Sequence, residues 1–125
     1  VARFVGMPPM NLFQARMERE EESLFLVFAD RRLKLPESAV MLDREPGPGE
    51  VLAGLRPEHI RLVEREEGVF EGVVEAVEPL GREILLYVRI DDDRFQVLSG
   101  EGEFRIEEVV WLAPELERLH LFSKA

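Results

Sequence analysis

The chain has 125 residues, 46% of them hydrophobic, a formal net charge of −10 and no cysteine. That length supports one domain that buries its own core without a metal or disulfide, and the lack of cysteine excludes a thiol nucleophile and leaves the redox compartment unread. The acidity argues against a nucleic-acid surface, which needs clustered Lys and Arg; no apolar run reaches membrane-spanning length and no signal-peptide pattern opens the chain, so the cytoplasm is the expected location.

Val1 to Val5 is too short to stand alone, and Gly6-Met7-Pro8-Pro9 stops it at once. It reads as the tail of something upstream, in keeping with a chain that opens at Val1 rather than Met. A first strand is expected from Met10 to Met17, with Phe13, Ala15 and Met17 on one face. Glu18 to Glu22 reads as a solvated turn. Ser23 to Phe28 suits a buried strand, Ala29 to Arg32 a turn, and Leu33 to Leu35 a short strand that Pro36 ends. Glu45-Pro46-Gly47-Pro48-Gly49 is the strongest loop signal in the sequence.

The organising stretch is Gly54-Leu55-Arg56-Pro57-Glu58-His59-Ile60. Val51, Ala53 and Leu55 alternate into it, Pro57 ends that strand, and Ile60, Leu62 and Val63 restart the chain. A related arrangement recurs later: Glu108-Val109, then Pro114-Glu115, then Leu119-His120-Leu121. Two copies of strand, Pro-Glu bend and strand suggest a domain built from two similar halves.

Between the copies, Val69 to Val77 is apolar on both sides, which predicts a strand covered on both faces or a barrel wall. Gly72 inside it suggests a bulge or a close backbone approach. Glu78-Pro79-Leu80-Gly81 is an expected turn, Ile84 to Ile90 the clearest strand, Asp91-Asp92-Asp93 a turn, and Phe95 and Val97 the returning hairpin partner. Gly100 to Gly102 is a turn, Phe104 to Ile106 a brief strand, and Val109 to Ala113 and Leu119 to Phe122 the last two. Many short strands with frequent Gly/Pro turns predict an all-β fold, a small closed barrel.

Chemistry-bearing patterns are sparse. No phosphate-cradling Gly-Lys-Ser/Thr loop and no dinucleotide fingerprint occurs. His59 and His120 sit at comparable places in the two half-repeats, but without cysteines they read as polar residues at strand ends rather than a zinc pair. Asp91-Asp92-Asp93 lacks the glycine and distal glutamate of a dedicated calcium loop and reads as a hairpin tip. Glu58 and Glu83 would make an acid–base pair only if the fold joined them, which nothing in the sequence shows. Trp111 and Phe104 read as core. Arg56 is the best candidate for a specific polar role, expected to be a structural bridge within the bend. Lys occurs only at Lys34 and Lys124, Asn only at Asn11, and Thr not at all. Such Glu/Arg-rich, amide-poor usage fits a thermophilic source, and a GC-rich genome also favours Arg.

Four segments in order, positions 1–11, Gly54 to Ile60, Val77 to Glu83 and Glu117 to Phe122, resemble the C-terminal regulatory part of the ATP-binding subunits of carbohydrate ABC importers, the maltose, multiple-sugar and glycerol-3-phosphate group. The sequence departs from that pattern at Met7, where Ser is usual. The resemblance implies a transport-associated, oligonucleotide-binding-like (OB-like) β-barrel at 10–125, with 1–9 as the end of the ATPase domain and its connector. It implies a non-catalytic regulatory and dimerisation domain, with ATP and Mg expected only upstream and no cofactor or metal of its own. The positions carrying the motifs, as structural or interface candidates, are Gly54, Arg56, Pro57, Glu58, His59, Glu78, Leu80, Gly81, Glu83, His120 and Phe122. The implied partners are a second copy, the upstream ATPase domain, the importer's membrane subunits, which place it at the inner face of the cell membrane, and a protein regulator. The alternative is a barrel that binds a small oxyanion or other ligand, for which a chain with two Lys and no Thr offers few donors.

Overall fold

The computed structural model describes residues 9–36, 40–41 and 49–122. The expected connector at 1–8 and the Pro/Gly loop at 45–48 lie outside the described residues. The all-β expectation is borne out. One sheet has six strands in the order β3-β2-β1-β5-β11-β4: β1 (Asn11–Glu20), β2 (Ser23–Phe28), β3 (Arg31–Lys34), β4 (Val40–Met41), β5 (Gly49–Leu55) and β11 (His120–Phe122). The other has five in the order β6-β10-β7-β8-β9: β6 (Ile60–Val63), β7 (Phe70–Pro79), β8 (Ile84–Ile90), β9 (Asp93–Ser99) and β10 (Val109–Pro114). Its outer strands β6 and β9 come near each other, but no ladder joins them and the strands fall into two sheets, so the closed barrel expected from the sequence is not formed among the described residues.

The chain changes sheet at two bends. After β5, Arg56 stays extended, Pro57 opens a 3-10 turn η1 (Pro57–His59), and the His59 N–H donates to the Arg56 carbonyl at 2.9 Å; β6 then runs in the other sheet. After β10, a second such turn η2 (Leu116–Arg118) returns the chain to the first sheet as β11. The strands on either side pair reciprocally, β5 with β11 and β6 with β10. A shift of 59 positions carries the pairs Arg61↔Ala113, Leu62↔Leu112 and Val63↔Trp111 onto His120↔Gly54, Leu121↔Ala53 and Phe122↔Leu52. The two halves are therefore related in register, not only in sequence pattern. That register also revises the sequence alignment. Pro57 opens η1 whereas Pro114 ends β10, and His59 closes η1 whereas His120 begins β11; the prolines and the histidines are not equivalent.

The core lies between the sheets. Phe13 and Phe28 of one sheet lie 4.8 Å apart, and across the sheets Phe95 meets both and Phe70 meets Phe28, with ring centroids 5.2 to 5.7 Å apart in edge-on contacts, the arrangement aromatic quadrupoles favour. Along β1 the expected face of Phe13, Ala15 and Met17 is buried. The two-sided pattern of β7 has a local cause. Its register against β8 shifts between Val74 and Ala76, so Phe70, Gly72 and Val74 face the core before the bulge and Val77 packs on it afterwards. Gly72 itself serves close approach: a Cβ there would collide with Val88 Cγ1 and lie 3.3 Å from the Arg89 carbonyl oxygen.

Four expectations shift. The charge run does not start a turn at Glu18; β1 continues to Glu20 because Glu18 and Glu20 find Arg partners across the sheet. The residues between β2 and β3 are Ala29 and Asp30 alone, both at left-handed φ of 53° and 61°, as a two-residue hairpin requires. β7 runs through Pro79, which stands opposite Ile84 of β8, so the turn before β8 falls at Leu80 to Glu83. Phe104 to Ile106 forms no strand. Glu107 turns at φ 74°, its N–H donates to the Val74 carbonyl at 2.7 Å, and the Val74 N–H donates to the Glu108 carbonyl at 2.9 Å. One residue of the bulge takes up the loop's backbone, leaving no ladder to extend.

Asn11 joins the sheets at a third place. Its Oδ1 accepts from the Gln96 N–H at 2.8 Å, and its Nδ2 donates to the carbonyls of Gln96 at 2.9 Å and Leu55 at 3.1 Å. The amide thus occupies the outer edge of β9 as a neighbouring strand would, closing an edge that would otherwise invite pairing.

Replacing Asn11 by Ala should orphan the Gln96 backbone groups and cost about 2–3 kcal/mol, read as a lower urea midpoint at unchanged m-value. Replacing Ala29 by Gly should do the opposite. The left-handed penalty on a Cβ is about 1–2 kcal/mol, so thermal unfolding should rise by an amount equivalent to about 0.5–1 kcal/mol once glycine's entropy is counted.

Candidate functional site

The motif residues fall into three groups. The first is η1. Pro57 is fully buried, Arg56 is exposed, and Glu58 and His59 are half-buried. The ion-pair bridge expected of Arg56 is not formed among the described residues; the bend is held by its backbone. The His59 carbonyl accepts the Glu115 N–H at 2.9 Å, which ties the first bend to the start of the second. The Oε1 of Glu58 and the Nδ1 of His59 are buried without a hydrogen-bond partner among the described residues, as are the Oε1 of Gln96 and the Nδ1 of His120.

The second group lies on the outer face of the six-stranded sheet. Gly54 stands between Leu12 on β1 and His120 on β11, and the next row is Gln14, Leu52 and Phe122. A Cβ on Gly54 would run into the Met10 sulfur and meet Leu12 Cδ2 at 3.2 Å, so glycine here lets Met10 and Leu12 lie flat on the strand. Leu12 is 58% exposed, and with half-buried Leu52 and Phe122 it gives this face an apolar centre.

The third group is the β7–β8 hairpin. Tyr87 O–H donates to Glu78 Oε1 at 3.1 Å, the Leu80 N–H donates to the Glu83 carbonyl at 2.7 Å, and Gly81 takes a φ of 89° that disfavours any Cβ. Leu80 is 43% exposed. Glu58 on η1 and Glu83 on this hairpin share no hydrogen bond, and His59 and His120 lie on different elements. Among the described residues no three His, Asp or Glu side chains are grouped as metal ligands would be. Between the sheets lies a cavity of about 20 Å³ lined only by apolar side chains, among them Phe13, Leu33, Ile60, Phe95 and Leu116. Without a polar partner such a space does not hold water, and it is too small for a metabolite.

Sequence reasoning missed two polar features. Asn11 lies in a segment already singled out, and a lone amide beside an alternating strand was the available signal. The other is the exposed network on β1 to β3. Glu18 pairs with Arg16 at 2.6 Å and Arg32 at 3.1 Å, Arg32 also pairs with Glu20 at 2.6 Å, and the Arg32 guanidinium lies 3.7 Å from the Phe25 ring centroid. The hydrogen bond from Arg32, then that from Arg16, holds the Glu18 carboxyl below its ordinary range; Glu20 and Glu18 in turn raise Arg32.

These features define a two-sheet β domain of the OB-fold class. Residues 53–122 match the TOBE domain family and residues 6–60 the MalK OB fold domain, and the chain belongs to the TOBE domain family. It is 34% identical over 133 residues to the sn-glycerol-3-phosphate import ATP-binding protein UgpC of Psychromonas ingrahamii, covering 98% of this chain and 32% of that protein. It is 32% identical over 130 residues to the uncharacterized ABC transporter ATP-binding protein YurJ of Bacillus subtilis, covering 98% and 35%. Identity to the trehalose/maltose import ATP-binding protein MalK of Thermococcus litoralis is 34% over 134 residues, covering 99% and 35%. The resemblance carried by the four segments is thus borne out, and the chain spans about a third of the length of the curated relatives it matches.

A depressed Glu18 stabilises the fold above the ordinary carboxylate pKa of about 4.3, and this contribution is lost as pH falls through the lowered folded-state value. Unfolding free energies of wild type and Glu18→Gln, measured from pH 7 downward, should differ at neutral pH and converge below about pH 4. A gap that persists at pH 2 would locate the effect elsewhere.

Proposed function

We propose that the chain is a non-catalytic regulatory and dimerisation domain of the ATP-binding subunit of a sugar ABC importer. The observation that carries this reading is a match along 98% of the chain to import ATP-binding proteins of which it covers only 32%. ATP and Mg chemistry then belongs to the remaining two thirds of such a subunit, and this domain supplies surfaces. Its contacts are a second copy, the ATPase domain, the membrane subunits reached through the parent subunit, and a protein regulator. Its location is the cytoplasmic side of the membrane; no helix among the described residues is long and apolar enough to cross one. The motif positions act as structure and interface. Gly54 and Phe122 shape an apolar outer face, and Leu80, Gly81 and Glu83 present a turn.

Self-association is the property to measure. A two-fold contact uses one patch twice, so a modest apolar face suffices, while a net charge of −10 per copy repels at long range. Salt at about 0.5 M shortens that repulsion to a few ångströms. Sedimentation velocity across protein and salt concentrations should show a monomer–dimer equilibrium that moves toward dimer as salt rises. A strictly monomeric profile at high protein and high salt would defeat the dimerisation claim.

A further inference from the structure

β3 (Arg31–Lys34) ends the six-stranded sheet, and its side away from β2 pairs with no strand among the described residues. Which backbone groups are free follows from the register. Leu35 N–H donates to the Leu24 carbonyl at 2.9 Å, and the pairs run Phe25↔Lys34, Leu26↔Leu33, Val27↔Arg32 and Phe28↔Arg31. In an antiparallel ladder successive residues alternate in direction. Arg31, Leu33 and Leu35 therefore spend their amides on β2, and the N–H and C=O of Arg32 and Lys34 point outward.

The surroundings differ on the two faces. On the outer face stand Arg32, whose guanidinium already pairs with Glu18 and Glu20, and Lys34, whose side chain is exposed and in no ion pair among the described residues. Exposed Arg31 begins the same strand. Three cations in four residues are concentrated on one edge of a chain whose net charge is −10. On the inner face, half-buried Leu33 and Leu116 line the apolar cavity, and a surface groove beside the edge is formed by Lys34, Leu35, Pro36, Pro114, Leu116 and Glu117. Glu117 on the far wall disfavours an acidic side chain on that inner side.

We propose that the free edge of β3 accepts an extended acidic segment of another protein by β-strand addition. The segment's backbone pairs with Arg32 and Lys34. Its side chains alternate, an acidic one over the unpaired Lys34 and apolar ones toward Leu116 and Pro114. A short cationic edge strand also serves in many proteins to keep partners away. The apolar groove beside this edge and the like sign of its charges favour recognition of an acidic partner over simple protection.

The test uses the full 125-residue chain, ¹⁵N-labelled, titrated with a blocked heptapeptide of alternating Glu and Val. The expected result is saturable shifts centred on the Arg32 and Lys34 amides, with hydrogen exchange slowed there, and binding that weakens as salt rises. A matching Lys-Val peptide should not bind. Lys34→Pro removes one outward N–H while leaving the ladder to β2 intact, and Lys34→Glu inverts the charge without touching the backbone. Each should weaken binding at least about tenfold, the equivalent of 1.4 kcal/mol. Three results would each overturn the proposal: unmoved Arg32 and Lys34 amides at millimolar Glu-Val peptide, equal binding of the Lys-Val peptide, or wild-type affinity in folded Lys34→Pro.

Discussion

A single backbone hydrogen bond, from the Glu115 N–H to the His59 carbonyl, sits where the two halves of the chain cross. Each half leaves one sheet and enters the other, and a backbone that leaves its ladder there must find other partners for its polar groups. The 3-10 turns do this locally: His59 N–H reaches the Arg56 carbonyl, and Arg118 N–H the Glu115 carbonyl, each at 2.9 Å. The Glu115–His59 bond then fixes one bend against the other. From that point the reciprocal pairing of β5 with β11 and of β6 with β10 follows, because both ladders start from the same crossing and run in matched register. The aromatic cluster fills the space the crossings leave, and Asn11 closes the edge of β9 that pairing alone leaves open.

The charges are organised differently from the core. Exposed arginines carry ion pairs that collect in two networks, Arg16, Glu18, Glu20 and Arg32 on one sheet and Glu75, Arg89 and Arg94 on the other. Isolated exposed pairs contribute little. Networks whose guanidinium groups also cover rings, as Arg32 covers Phe25 and Arg94 covers Tyr87 at 4.8 Å, add packing of the arginine stem to the charge term. Their effect is to let apolar side chains stand on outer faces without forming one continuous sticky surface. The apolar area left uncovered among the described residues, around Leu12, around Leu80 and around Ile106 and Val109, is correspondingly local.

How much was legible in the sequence depended on whether the determining interaction was local. Alternation placed β1, β8 and the buried members of β5, because period two is set by the pleat itself. Pro57 announced the first bend for the same reason: a fixed φ acts on its own residue. The bulge in β7 was hidden, since a register shift exists only relative to β8, and the sequence showed merely apolar residues on both sides. The charge run at Glu18 to Glu22 looked like a turn because its partner Arg32 arrives from another strand. The repeat was visible, but its prolines and histidines aligned falsely, as a matching letter need not occupy a matching place in a ladder. Among the candidate positions, Arg56 promised a polar bridge and supplies only a backbone carbonyl, whereas Asn11 carries three long-range hydrogen bonds and drew no weight.

That contrast bears on what this domain does. Its polar side chains are spent at the seams, at Asn11 and in the Tyr87–Glu78 pair, where they fix how strands meet. A reacting site needs the reverse: titratable groups converging on an open space large enough for a substrate. Here the space between the sheets is small and wholly apolar, and the open grooves lie on the outside, against strand edges and hairpin tips. That distribution supports the reading proposed above, a domain that works through its surfaces. Among the described residues Asn11 closes the edge of β9 whereas the far side of β3 pairs with no strand, so the two sheets differ in how much edge backbone they leave unpaired.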